Sequence, residues 1–115
     1  MKVYVVSLAT NNCELENRVY KSLCNSLKYI YDSLKSLVSE EVEDCDFFDR
    51  DYVQKYFNVD FFGQQFHRVV FKSIYGEFII DKVVENKYQF IFSPVSSNNI
   101  NFFIVCELQI LELLN

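Results

Sequence analysis

Between Gln65 and Leu111 four apolar stretches follow one another with very little chain between them. They centre on Phe66 to Phe71, Phe78 to Val84, Tyr88 to Phe92, and Phe102 to Ile110. β-Branched and aromatic residues dominate each stretch, and these fit a pleated, half-buried backbone. Tyr88, Phe90 and Phe92 also alternate with Gln89 and Ile91, the two-residue period of a strand. The connections are Tyr75-Gly76, Glu85 to Lys87, and Pro94 to Asn99. Links this short reverse the chain but cannot carry it back across a sheet, so successive strands must run antiparallel. A meander of about four strands is therefore expected.

The first third has a different pattern. Lys2 to Ala9 is β-branched and aromatic and is followed by the turn residues Thr10-Asn11-Asn12, which predicts a buried strand. Asn17 to Lys21 either pairs back on that strand or already belongs to a helix. Val19, Leu23, Leu27, Ile30, Leu34 and Leu37 then recur at spacings of three and four, one stripe of an α-helix. Ser22 is positioned to cap its first turn, and Lys21, Lys28 and Lys35 fall away from the stripe. The expected fold is α+β: an N-terminal strand, a long amphipathic helix, a short acidic-aromatic helix, then the antiparallel meander. The first strand should insert into or beside the sheet, with the long helix across one face.

With 115 residues, half of them hydrophobic, and no linker or repeat, the chain reads as a single domain over residues 1–115. So much apolar surface excludes a disordered tail. No apolar run approaches the roughly 18 residues of a membrane span. Met1 to Val6 lacks the apolar region and cleavage site of a secretory signal, so a cytoplasmic, reducing setting is expected. Cys13, Cys24, Cys45 and Cys106 form no CxxC pair and are read as free thiols, with no zinc site. With Gly63 and Gly76 the only glycines, no phosphate-cradling loop or nucleophile elbow can be written. No catalytic residue, metal or cofactor is therefore assigned, and a non-enzymatic role is favoured.

The formal charge of −5 is concentrated in one place: residues 39–51 carry seven acids and one base. Interleaved and following are Phe47, Phe48, Tyr52, Val53, Tyr56, Phe57, Phe61 and Phe62. The spacing of Tyr52, Val53, Tyr56 and Phe57 predicts a short helix from about Asp49 to Phe57. A calcium loop starting at Asp44 fails, because its sixth position is Asp49 and its twelfth Lys55. One reading of the segment is a solvated acidic face whose aromatics pack on the sheet. Another is an epitope in which acids and aromatics mimic nucleic acid and occupy a partner's basic groove. Its candidate binding residues are Glu40, Glu41, Glu43, Asp44, Asp46, Phe47, Phe48, Asp49, Asp51, Tyr52 and Tyr56.

The expected partner is a protein with a basic surface, with direct nucleic-acid binding disfavoured by the overall charge. Arg68, Lys72, Lys82 and Lys87 nevertheless leave room for a small basic patch on the sheet. Homodimerisation through an edge strand or the aromatic surface is a further expectation. A second function class is a small-molecule or nucleotide binder, with aromatics stacking on a base and Arg18, Arg50 or Arg68 holding phosphate. A third is a minimal hydrolase built on His67, the only histidine, with acids of the run.

Lys2 to Val6, Arg18 to Leu23 leading into the helix, and Val105-Cys106-Glu107-Leu108 resemble small uncharacterised α+β proteins of phages and low-GC bacteria. The abundance of Asn, Lys, Tyr, Phe and Ile, all encoded by AT-rich codons, is in keeping with that setting. The resemblance covers the strand, cap and helix and the closing strand. It implies an α+β fold and a mobile-element setting, and it carries over no functional residue. The leading expectation for function is a non-enzymatic interaction protein, such as a phage-encoded inhibitor of a host defence or nucleic-acid-processing complex, acting through the surface from Glu40 to Phe62.

Overall fold

The structure, a computed structural model, describes residues 1–10, 13–41, 47–62, 66–74, 76–94 and 103–114. Strand β1 (Lys2–Thr10) turns back into β2 (Cys13–Tyr20), and α1 (Leu23–Glu41) follows. After a run of short helical turns come β3 (Arg68–Lys72), β4 (Gly76–Val84), β5 (Lys87–Pro94) and β6 (Ile104–Glu112). All pairs are antiparallel, in the order β2-β1-β6-β5-β4-β3. The sheet thus has six strands instead of the four of the meander alone. The meander forms β3 to β6, β1 adds beside β6, and β2 adds outside β1. The sheet is open, with β2 and β3 as its two edges.

Each strand shows one face to the helices. Val6, Ile104, Cys106, Leu108, Phe90, Phe92, Phe78 and Ile80 are fully buried on this front face. Helix α1 lays Leu27, Ile30, Leu34 and Val38 against it, all at most 1 % exposed. Ser22 does cap α1: its Oγ accepts a hydrogen bond from Asn25 N at 3.3 Å. Ser26 is the one buried polar residue of the described core, and its hydroxyl donates to the Leu23 carbonyl at 2.7 Å. Val19, expected on the helical stripe, lies instead on β2 opposite Val5 and is 65 % exposed. Its spacing to Leu23 matches the helix only by coincidence, because the chain leaves the strand at Lys21-Ser22.

The β4–β5 turn places Asn86 at φ 66°, a left-handed conformation that Asn tolerates better than most residues. The Asn86 carbonyl also accepts from Ile110 N at 2.8 Å, which fixes the turn against β6.

Of the cysteines, Cys24 is exposed and Cys106 buried, and both are free thiols. Burial pushes the Cys106 thiol up to about 12, helped by the charge of Glu107. Only thiolates react readily. Iodoacetamide on the native protein should therefore modify Cys24 and spare Cys106, with Cys106 labelled only after urea. Peptide mass spectrometry reads both. A linkage effect follows, because the unfolded thiol ionises near 9.0 while the folded one keeps its proton to about 12. Stability is complete below pH 9 and falls above it by up to about 1.4 kcal/mol per pH unit. A Cys106→Val chain should lack that alkaline component.

Candidate interaction surface

The acidic-aromatic segment is not one helix. It opens with a 3₁₀ turn at Phe47–Asp49, continues through α2 (Asp51–Gln54) and a 3₁₀ turn at Lys55–Phe57, and closes with α3 (Val59–Phe62). The expected short helix over 49–57 is present as the continuous helical run 51–57, and the extended backbones of Arg50 (φ −72°, ψ 135°) and Asn58 (φ −101°, ψ 143°) bound it on either side. The Asn58 side-chain carbonyl accepts from Asp60 N at 3.0 Å and starts α3.

The pieces form the second half of the helical layer, over β3, β4 and β5, where the sheet presents Phe71, Phe78, Tyr88, Phe90 and Phe92. Phe48, 2 % exposed, meets Phe78 edge-on at 5.4 Å and Phe92 at 6.1 Å. Phe57 lies nearly parallel to Phe90 at 5.7 Å and to Phe78 at 6.0 Å. Phe62 reaches Tyr88 at 5.0 Å, and Tyr56 reaches Phe71 at 4.8 Å. Offset and edge-to-face pairs each add about 0.5–1.5 kcal/mol beyond their buried area. Phe48 is therefore core and offers no ring to a partner, and Tyr56, Phe57 and Phe62 pack against that core.

Three contacts tie this layer to α1. The Tyr31 hydroxyl donates to the Phe48 carbonyl, and Gln54 Nε2 donates to the Tyr31 hydroxyl at 3.3 Å. Lys35 Nζ is paired with Asp49. That hydrogen bond, then the charge of Asp49, holds the Lys35 ammonium above its ordinary range. These pairings of Lys35, Tyr31 and Gln54 went unnoticed in the sequence because partners 14 to 23 residues away leave no local pattern.

The acids face outward. Glu40, Asp49, Asp51 and Asp60 are exposed, and Tyr52 beside them is 50 % exposed. Among the described residues, Glu40, Asp51 and Asp60 have no basic partner. Of the expected binding residues, the structure brings Asp49, Asp51, Tyr52 and Tyr56 together on one layer, with Phe48 beneath. Glu40 lies near the end of α1, Glu41 is its last residue, and Phe47 is the first of the 3₁₀ turn. Glu43, Asp44 and Asp46 lie outside the described residues. Asp60, not singled out in the sequence, lines an open cleft of about 370 Å³ with Lys55, Tyr56, Asn58 and Phe61. Lys55 Nζ already sits over the Tyr56 ring at 5.1 Å, so this ring accepts a cation.

The remaining candidates do not converge. Arg18, on edge strand β2, is bound to Glu16 at 3.0 Å and stacks over Tyr29 at 4.8 Å. Arg68, on the opposite edge strand β3, is bound to Asp81 at 2.9 Å. The two guanidiniums thus stand at opposite margins of the sheet and do not share one phosphate site. Of the bases on the strands, Lys82 is paired with Glu85 and Lys87 with Glu107, while Lys72 lies opposite Glu77 in register. His67 is exposed, and its carbonyl accepts from Lys82 N at 2.8 Å. Among the described residues no group of three or more His, Cys, Asp or Glu could hold a metal ion. Among the described residues no helix is long and apolar enough to cross a membrane. No protein-family model, curated protein or solved structure matches the chain.

Proposed function

We propose that the chain is a non-enzymatic interaction protein that offers an acidic surface to a basic protein partner. The surface consists of Glu40, Asp49, Asp51 and Asp60, with Tyr52 and the Tyr56 cleft among them. The observation that carries this reading is directional: Phe48, Tyr56, Phe57 and Phe62 turn inward and fix the layer, while Asp49, Asp51 and Asp60 turn outward, Asp51 and Asp60 without basic partners among the described residues. A rigid anionic surface needs little reorganisation when a cationic groove meets it, and complementary charge speeds the encounter. Lysines and arginines that handle nucleic acid are such a groove, so inhibition of a nucleic-acid-processing or defence complex is the finer form of the proposal.

The test is a Glu40→Lys/Asp51→Lys/Asp60→Lys chain used as bait beside the wild type. Asp49 is kept because it anchors Lys35. Partner recovered by the wild type should be lost by the variant, and should fall with added salt because exposed pairs are screened. Recovery of the same partner at unchanged affinity would refute the surface.

A further inference from the structure

The face of the sheet turned away from the helices has an order of its own. Ala9, Val105, Ile91, Ile79 and Val70 lie opposite one another across β1, β6, β5, β4 and β3, forming one apolar row over five strands. None belongs to the buried core cluster, and Val70 is 44 % exposed. Beside it runs a polar row across all six strands: Asn17, Ser7, Glu107, Gln89, Asp81 and Arg68. Val5 and Val19 continue the apolar surface on the far side of that row. Among the described residues no helix lies on this face, since α1 to α3 all pack on the other.

The charges of the back face cancel. Arg68 is bound to Asp81, Lys87 to Glu107 at 3.5 Å, and Lys72 stands opposite Glu77. A face neutralised from within offers nothing to a charged polymer and suits another neutral, partly apolar face. The chain as a whole carries −5, with unpartnered acids on its helical side. Two copies meeting helix side to helix side would repel. Two copies meeting back to back keep their acidic surfaces on opposite outer sides. The size also fits: six strands about 4.8 Å apart, rising about 3.4 Å per residue, give a face on the order of 700 Å². A standard-size interface buries about 800 Å² a side.

We propose that this back face is the interface between two copies of the chain, packed sheet on sheet about 10 Å apart, with Ile79, Ile91 and Val105 at its centre. Pairing is isologous, so each apolar row meets the other across a two-fold axis. The dimer presents two acidic surfaces pointing away from each other, ready to engage two basic partners or two copies of one.

Sedimentation of the full chain tests this. At about 100 µM the wild type should run at twice its 13.7 kDa. Ile91→Asp should run as a monomer with an unchanged far-UV spectrum, its self-affinity weakened by about 100-fold or more. Val70→Asp reads the same surface from its exposed rim and decides the matter if Ile91→Asp does not fold. The Glu40→Lys/Asp51→Lys/Asp60→Lys chain should remain dimeric, which separates this proposal from the partner surface. A wild type that stays monomeric at that concentration overturns the proposal. So does a dimer indifferent to both back-face substitutions, or one lost only when Asn17→Pro blocks the β2 edge.

Discussion

Replacing Phe48 by alanine should lower the unfolding free energy by about 3–5 kcal/mol, the range for large aromatic truncations in a packed core. Its ring is 2 % exposed and touches Tyr31, Phe57, Phe78 and Phe92, which belong to α1, the turn after α2, β4 and β5. No single shift of those elements can fill the space it leaves. Total stability of a domain this size is about 5–15 kcal/mol, so the loss is a large fraction of the whole. Tyr52, four residues on and half exposed, meets among the described residues only the ring of Phe71, at 6.2 Å. Tyr52→Ala should cost no more than about 1 kcal/mol. Urea denaturation of the two variants side by side reads this contrast, and equal costs would mean that the segment does not pack as described.

Leu34→Ala should cost about 2–5 kcal/mol, because Leu34 is fully buried beneath the middle of α1. The two substitutions lie in different halves of the helical layer, α1 over β1 and β6, and residues 47–62 over β3 to β5. Both residues nonetheless belong to one contiguous core cluster. Either variant should therefore unfold in a single transition by far-UV circular dichroism and tyrosine fluorescence. Two separate transitions would mean that the halves fold as independent units.

The meander was legible because its period and turn residues repeat along the chain, and α1 because its stripe is long and capped. Strand β2 was left open for a physical reason. Glu16, Asn17 and Arg18 are poor strand formers, and they serve at an edge, where charge discourages pairing with a further chain. Composition marked residues 39–63 as unusual but could not tell Phe48 from Tyr52. Direction in that segment depends on Arg50 and Asn58, whose extended backbones interrupt the helical period and reset which side chains face the sheet. The ion pair of Asp49 with Lys35 was equally invisible, since it joins separate elements. The back-face rows depend on register between strands far apart in sequence, which no local pattern records.

The proposed division of labour, in which aromatics hold the fold and acids meet a partner, makes the exposed acids dispensable for folding. Equilibrium urea unfolding of the Glu40→Lys/Asp51→Lys/Asp60→Lys chain tests that division most directly. Asp51 and Asp60 lie in the first turns of α2 and α3, where a negative charge suits the helix dipole, whereas Glu40 lies in the last turn of α1, where it opposes it. Each such exposed charge is worth about 0.3–1 kcal/mol, and the gain at Glu40 with relief of a concentrated negative surface offsets the losses at the other two. The unfolding free energy should thus stay within about 1 kcal/mol of wild type. A loss of about 3 kcal/mol or more, matching that of Phe48→Ala, would show that these acids hold the fold themselves.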